Sequence, residues 1–122
     1  SYDTVICSID KDLYQVPGAH FNWVTGDWRY VSKEEGDEWF WIQMLTGDAV
    51  DNIKGLPGVG IASAMSLVQM FDGNLEQVRG FVMGCYFQHF ESGDMFFRNA
   101  RLLYIRRSKE HVAPARIFME VV

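Results

Sequence analysis

The sequence of 122 residues has little of what marks several other classes of protein. No apolar run approaches the roughly 20 residues that span a bilayer, and there is no low-complexity segment and no repeat of solenoid period. Only two cysteines are present, Cys7 and Cys85. They could pair, but their spacing matches no metal or redox motif. We therefore expect a compact globular domain from a reducing cytoplasm, with no membrane partner.

Basic residues are also scarce, with 11 Lys and Arg against 16 Asp and Glu and a formal net charge of −5. Residues 1–94 carry 5 basic and 14 acidic side chains, whereas residues 95–122 carry 6 basic and 2 acidic ones. The overall charge argues against a nucleic-acid partner, but bound metal ions would neutralise acidic residues that the formal charge counts in full. The simpler alternative is an acidic soluble domain with a basic C-terminal helix.

The hydrophobic pattern predicts an α/β domain that is mostly helical after residue 32. Residues 3–10 form a short apolar run typical of a buried strand in a parallel sheet with helices on both faces. Residues 20–32 alternate in polarity around a Gly-Asp pair, as a β-hairpin does. We therefore assign residues 1–31 to strands of a sheet and residues 32–122 to a helical region.

Four helices are expected in the helical region. Ser32 and Glu35 form a capping-box pattern, so the first helix should begin there and extend to about Leu45, before Gly47. Its predicted buried side comprises Phe40, Trp41, Met44 and Leu45. The later helices are predicted over roughly 61–70, from about 75, and over 95–107, with an irregular stretch at 84–94. The last of these should bury Phe97, Ala100, Leu103 and Tyr104.

Four aspartates occur as two close pairs. Asp10 and Asp12 end the first strand, where alternation points both to one side. Asp48 and Asp51 are three residues apart, so on a helical turn they also share a side. Four converging carboxylates repel one another unless cations lie between them, and ligand sets of oxygen alone suit Mg²⁺ or Mn²⁺. A pair of such ions is a device for phosphodiester cleavage. The simpler alternative is that these aspartates cap helices or form turns.

The segment GLPGVG, residues 55–60, is a helix-hairpin-helix signal. Gly58 and Gly60 should permit positive φ values and a close approach of the backbone. The N–H groups at the start of the helix near Ile61 would then form an anion site that holds a DNA phosphate without reading sequence. The alternative is an ordinary corner between helices, with glycines present for steric reasons alone.

Two segments together, SIDKDLYQ (8–15) and QMLTGDAVDNIKGLPGVGIASA (43–64), resemble the 5′-nuclease family. This family comprises phage 5′→3′ exonucleases, flap endonucleases and the 5′-nuclease domain of bacterial DNA polymerase I. The segment FFRNARLLYIRR (96–107) is similar to the C-terminal part of the phage members. The resemblance implies a partial PIN-like fold with a helix–three-turn–helix region and a Mg²⁺- or Mn²⁺-dependent nuclease that uses two ions. The four ligand positions implied are Asp10, Asp12, Asp48 and Asp51.

The resemblance also implies how DNA is bound. In the family, backbone carbonyls of the hairpin hold a K⁺ ion that bridges to a DNA phosphate, and by position these carbonyls fall on Leu56 and Val59. The implied substrate is duplex DNA with a 5′ end or flap, and an RNA primer strand stays open as a further substrate. The residues expected to contact DNA are Lys54, Gly58, Gly60, Ile61, Ser63, Arg98 and Arg101, with Arg106 and Arg107 as further candidates.

The sequence departs from the family pattern in two respects. The family commonly has proline and lysine where this chain has Ile61 and Ala62, so Lys54 would have to supply the lost charge. The resemblance also covers only the C-terminal half of the family, which places the remaining acidic ligands and a basic helical arch in an N-terminal half, encoded upstream or on a separate chain. The alternative function is a non-catalytic module that binds duplex DNA through the hairpin.

Overall fold

The structure is a computed structural model that describes residues 5–104, and of Lys11 and Asp12 it describes the backbone only. The chain folds as a mixed α/β structure. A three-stranded sheet precedes the α-helices, and a second sheet of two short strands lies between the first two of them. The elements in chain order are β1 (Val5–Cys7), a 3-10 helix (Lys11–Gln15), β2 (Gly18–Asn22), β3 (Asp27–Val31), α1 (Lys33–Thr46), β4 (Gly47–Asp48), β5 (Ile53–Lys54), α2 (Ile61–Gln69), α3 (Leu75–Phe90) and α4 (Asp94–Leu103).

The first three strands form one sheet in the order β1-β2-β3. β1 is parallel to β2, as the apolar run predicted, and β2 and β3 form the predicted hairpin. The expectation of a buried first strand is wrong for the described residues, because Val5 and Cys7 are exposed and Ile6 is half-buried. The reason is positional: β1 is at the edge of the described sheet rather than between two strands.

The two faces of this sheet are covered unequally. On one face His20 and Val31 are buried, and the ring of Tyr14 from the 3-10 helix contacts His20 at 5.3 Å between centroids. The other face, by register, carries Trp28 and Tyr30 of β3 beside residues of β2 and β1. Trp28 is 66% exposed and Tyr30 59% exposed. An apolar sheet face therefore lies open in the described structure.

Helix α1 is the centre of the core. Its start is the predicted capping box: Glu35 N–H donates to Ser32 Oγ at 3.1 Å and Ser32 N–H donates to Glu35 Oε1 at 3.2 Å. Every residue from 39 to 45 is buried, which confirms the four predicted core positions and adds three. Helices α2, α3 and α4 pack around this segment and complete one hydrophobic cluster. The second half of α1 is apolar on most of its sides, and helix surfaces of that kind are buried.

The irregular stretch predicted at 84–94 is wrong, because α3 continues to Phe90. Val78, Val82 and Tyr86 recur every four residues and bury one stripe of the helix. The glycine and mixed polar residues in this stretch suggested a loop, but packing against α1 overrides their low propensity. The helix ends at Glu91, whose φ of 61° is the left-handed conformation of a C-terminal cap.

Helix α4 also buries a different face from the one predicted. Ala100 and Leu103 are buried as expected, whereas Phe97 is only half-buried and the buried aromatic residue is Phe96. The unexpected core residue is Asn99, whose Nδ2 donates to the Lys54 carbonyl at 2.7 Å and to the Tyr86 hydroxyl at 2.9 Å. The Tyr86 hydroxyl in turn donates to the Met44 carbonyl. The buried face of α4 is therefore shifted by about one residue from the face that the apolar pattern predicted, and Asn99 belongs to it.

Candidate metal centre and nucleic-acid interface

The first predicted ligand pair lies where β1 gives way to the 3-10 helix. Asp10 is exposed, its amide donates to Ser8 Oγ at 2.9 Å, and its carbonyl accepts from Leu13 N–H at 3.3 Å. The side chain of Asp12 is outside the described part of the structure. The segment is anchored by buried Gln15, whose Nε2 donates to Gln43 Oε1 at 2.5 Å. That bond, with a second to the Leu103 carbonyl at 2.6 Å, fixes the motif against α1 and α4.

The second predicted pair lies on a tight turn between β4 and β5, not on a helical turn. Asp48 Oδ1 accepts hydrogen bonds from Val50 N–H at 3.0 Å and from Asp51 N–H at 3.3 Å. This is the Asx-turn geometry that short acidic side chains favour. It holds the Asp51 backbone next to the Asp48 carboxylate. Asp48 is half-buried and Asp51 is exposed.

Two glycines hold this turn against the end of α1. Gly47 has a φ of 73°, and a Cβ at that position would lie 2.3 Å from the Gly55 nitrogen. A Cβ on Gly55 would lie 2.4 Å from the Gly47 nitrogen. The two backbones are thus in direct contact, and Leu56 N–H adds a hydrogen bond to the Leu45 carbonyl at 3.0 Å. The glycines are required here for close approach, which is one reason why the motif carries them.

One cavity brings Asp10 of the first predicted pair together with both members of the second pair. It has a volume of about 430 Å³ and its lining includes Asp10, Asp48 and Asp51. Ile61, the first residue of α2, also lines it, so the start of that helix borders the carboxylates. Its remaining walls come mainly from the face of α1 that carries Trp39, Ile42, Gln43 and Thr46. We call this cavity the carboxylate pocket.

The donor set of the carboxylate pocket is restricted to oxygen and amide groups, with no cysteine or histidine in its lining. Hard cations such as Mg²⁺ prefer such donors and keep several waters, so one or two carboxylates suffice for an ion. Among the described residues, no three acidic, histidine or cysteine side chains are grouped closely enough to hold a metal together. A hard cation held by these aspartates would therefore need water or substrate for its other ligands.

Sequence reasoning missed Trp39 and Gln43 as pocket residues. Positions 39, 42, 43 and 46 share one face of α1, and that spacing is the signal that could have placed them beside Asp48. The indole N–H of Trp39 is buried and has no hydrogen-bond partner within residues 5–104. Buried donors are rarely left unpaired.

The GLPGVG segment forms a tight turn between β5 and α2. Val59 N–H donates to the Leu56 carbonyl at 3.4 Å, with Pro57 and Gly58 between them. Gly58 has a φ of 77°, as a type II turn requires after proline, and this confirms its predicted conformation. For Gly60 the prediction is wrong, because its φ is −88°. Gly60 is the N-cap of α2, and extended backbone is the usual cap conformation.

The start of α2 is open to the surface. Gly60 makes no side-chain capping bond, and the first turn contains no acidic residue. Ile61 is 42% exposed, and Ala62 and Ser63 are exposed beside it. The first amides of a helix have no intrahelical acceptor, so an external anion can satisfy them. The start of α2 is therefore accessible to an anion such as a phosphate.

The predicted cationic contacts are dispersed. Lys54 is exposed on β5, and Arg98 and Arg101 are exposed on α4, outside the lining of the carboxylate pocket. Arg106 and Arg107 lie outside the described residues.

Burial raises the pKa of the Tyr86 hydroxyl, which the hydrogen bond with Asn99 partly opposes. Tyr86 thus stays protonated, as its donation to the Met44 carbonyl requires.

Comparison with known proteins shows that the chain is similar in sequence to parts of DNA polymerase I and of phage exonucleases. The chain is 33% identical over 85 residues to DNA polymerase I of Deinococcus radiodurans, covering 63% of this chain and 9% of the relative. It is 40% identical over 57 residues to the exodeoxyribonuclease of Enterobacteria phage T3 and 37% identical to the exonuclease of Escherichia phage T7. Each phage match covers 46% of this chain and 19% of the relative.

These relatives confirm the resemblance deduced from the motifs. The chain is related in sequence to DNA polymerase I and to phage exonucleases, as a relationship to the 5′-nuclease family predicts. It spans less than a fifth of the length of each of these relatives. No family model matches the chain, and no solved structure matches it.

Proposed function

We propose that this chain forms part of the active centre of a metal-dependent DNA nuclease, a 5′→3′ exonuclease or a structure-specific flap endonuclease. The observation that carries the proposal is the carboxylate pocket, where Asp10, Asp48 and Asp51 from two separate segments meet the start of α2. The relatives are an exodeoxyribonuclease and DNA polymerase I, which supports DNA as the substrate.

In this proposal, Asp10, Asp12, Asp48 and Asp51 hold Mg²⁺ or Mn²⁺, two ions in the complete enzyme. Ions held there would supply an attacking water of lowered pKa and would stabilise the negative charge that develops on the phosphate. The Asx turn of Asp48 serves this role by fixing one carboxylate oxygen to two backbone amides. The second oxygen is then presented in one orientation.

The turn at residues 55–60 and the start of α2 would position the duplex. The first turn of α2 offers exposed amides to a phosphate, and none of that turn's own residues is acidic. The Leu56 and Val59 carbonyls would hold a K⁺ ion, and the weak hydrogen bond of 3.4 Å leaves the Leu56 oxygen with capacity for it. Lys54, Ser63, Arg98 and Arg101 would add contacts to the backbone of the same duplex.

We further propose that the missing acidic ligands come from another polypeptide segment, which packs on the open sheet face with Trp28 and Tyr30. Exposed apolar patches often mark interaction surfaces, and β1 leads directly to Asp10 at its carboxyl end. Ligands in parallel sheets gather at that end of the strands. If such a segment restores cleavage in trans, Trp28→Ser should abolish the restoration, whereas Met70→Ser on exposed α2 surface should not. Equal restoration in both variants would exclude this face.

The test of the nuclease uses the 122-residue chain on 5′-labelled duplex and flap DNA, with Mg²⁺ or with EDTA, resolved on a sequencing gel. Mg²⁺-dependent shortening that Asp48→Asn or Asp51→Asn abolishes is the expected result for a self-sufficient centre. Asp72→Asn is the matched control, because Asp72 is exposed outside the pocket and asparagine tolerates its φ of 49°. Cleavage that persists in both pocket variants would refute the ligand assignment.

The second candidate function is a DNA-binding module without catalysis. It is favoured by the lack, within the described chain, of three acidic side chains grouped at one metal position. This function predicts no cleavage, together with a K⁺- and salt-sensitive gel shift that survives EDTA.

The unpaired thiols of Cys7 and Cys85 support the reducing cytoplasm expected for either function. No helix in the described range is long and apolar enough to span a bilayer.

A further inference from the structure

A second cavity lies on the other side of the Thr46–Ala49 segment. It has a volume of about 640 Å³, between the β5 segment and the C-terminal end of α3. Thr46 and Ala49 line both cavities, so the two share a wall. Sites for small organic ligands occupy about 300–1,000 Å³. The space is therefore adequate for a nucleotide immediately beside the carboxylate pocket.

The two cavities are opposite in charge. The second is lined by Lys54 and His89 and includes no Asp or Glu among its lining residues, whereas three aspartates line the first. In a chain with a formal charge of −5, an acid-free cavity with a lysine and a histidine is a local attraction for anions. The Thr46 hydroxyl and the Asn52 amide add polar groups to it.

The rest of the lining is apolar and includes an aromatic ring. Phe90 closes one side, and Leu56 and Pro57 close another. The His89 ring meets the Phe90 ring edge-on, with 4.6 Å between centroids. Nucleic-acid bases stack on such rings whatever their sequence. A ligand with an anionic end and a planar end matches both halves of the cavity.

The cavity wall is held by contacts that do not depend on a ligand. The Lys54 carbonyl is fixed by buried Asn99 at 2.7 Å, and the Gly47–Gly55 contact leaves no room for the backbone to shift inward. Leu56 is tied to α1 through the Leu45 carbonyl. A preformed wall reduces the ordering cost of binding.

We propose that this cavity, the Lys54–His89 cavity, binds one nucleotide of a DNA strand, with its phosphate beside Lys54 and His89 and its base against Phe90. The inference rests on the proposed function, because the strand held here is the one presented to the neighbouring carboxylates. It adds a site and a residue, His89, that the hairpin does not account for. The two cavities would hold adjacent parts of one strand across the Thr46–Ala49 wall.

The test is a titration of the ¹⁵N-labelled chain with deoxyadenosine 5′-monophosphate in EDTA, followed by amide NMR. The expected shifts centre on Gly55, His89 and Phe90, and deoxyadenosine and inorganic phosphate should each bind at least about 10-fold more weakly. Lys54→Gln and His89→Gln should each weaken the nucleotide by about 3- to 10-fold. Lys33→Gln removes one exposed cation elsewhere and should leave the affinity unchanged. The amide spectra also show whether each variant is folded.

Three results would overturn the inference. They are phosphate binding as tightly as the nucleotide, amide shifts confined to the start of α2, or unchanged nucleotide affinity in both Lys54→Gln and His89→Gln. The first would leave an adventitious ion only. Failure here is distinct from failure of the proposed function. Nucleotide binding together with cleavage that persists in both the Asp48 and the Asp51 variants keeps the cavity and removes the proposed ligand assignment. Cleavage without nucleotide shifts at the cavity removes this inference alone.

Discussion

Replacing Asn99 by leucine should destabilise the protein while leaving its fold in place. The side chain is 1% exposed, and its Nδ2 donates to the Lys54 carbonyl and to the Tyr86 hydroxyl. Leucine has a similar volume and no donor. The Lys54 carbonyl then loses the bond inside the protein, whereas Tyr86 keeps its own bond to the Met44 carbonyl.

The magnitude follows from the two lost bonds. A net hydrogen bond contributes about 1 kcal/mol, and a buried acceptor left unpaired costs about 1–3 kcal/mol. We therefore expect Asn99→Leu to lower the free energy of unfolding by about 2–4 kcal/mol. Urea denaturation followed by far-ultraviolet circular dichroism measures this as a lower midpoint with an unchanged slope.

Two comparisons make the result specific. Gln88→Leu, an exposed polar-to-leucine change on α3, should stay within about 0.5 kcal/mol of the parent. Tyr86→Phe and the double variant Tyr86→Phe/Asn99→Leu should show a coupling energy of about 0.5–3 kcal/mol. If Asn99→Leu is as mild as Gln88→Leu, the reasoning that this network holds β5 in place is refuted.

Three further outcomes follow from the described geometry. Gly55→Ala should cost more than about 3 kcal/mol in urea denaturation, since its Cβ would meet the Gly47 backbone, and a cost near that of an ordinary core substitution would contradict the contact. Gly60→Val should leave the urea midpoint nearly unchanged, because no atom lies within 4 Å of its Cβ, yet weaken DNA in a gel shift by at least about 5-fold; equal binding would exclude the α2 start as the phosphate site. Burial raises the pKa of Tyr86, so its stabilisation is complete below the unfolded pKa of about 10 and declines above it; alkaline loss of stability should therefore be smaller in Tyr86→Phe, and identical pH profiles would contradict this.

Local rules were enough to predict several elements. The Ser32–Glu35 capping box, the hairpin around Gly26 and the positive φ of Gly58 each depend on a few neighbouring residues, and the structure has all three. Asp48 and Asp51 were expected on a helical turn, whereas the structure places them on an Asx turn. The local geometry that the spacing argument assumed was therefore wrong.

Features that depend on distant contacts could not be predicted in the same way. The continuation of α3 to Phe90 is decided by packing of Tyr86 under α1, and the face of α4 is decided by partners of Asn99 that lie 13 and 45 residues away. The glycine and polar residues at 84–94 and the apolar position of Phe97 predicted otherwise. The convergence of Asp10 with Asp48 was expected from metal-ligand chemistry and from the family resemblance, because the intervening residues give no register between the two segments.

The buried network also has a consequence for the order in which the chain acquires its structure. The loop with Asp48 and Asp51 is anchored at its base through the carbonyls of Met44 and Lys54, whose partners are Tyr86 and Asn99. During synthesis the aspartates leave the ribosome roughly 50 residues before Asn99 does, so α3 and α4 must dock before the loop is fixed. The carboxylate pocket is therefore expected to form late, only after the last described helix has docked.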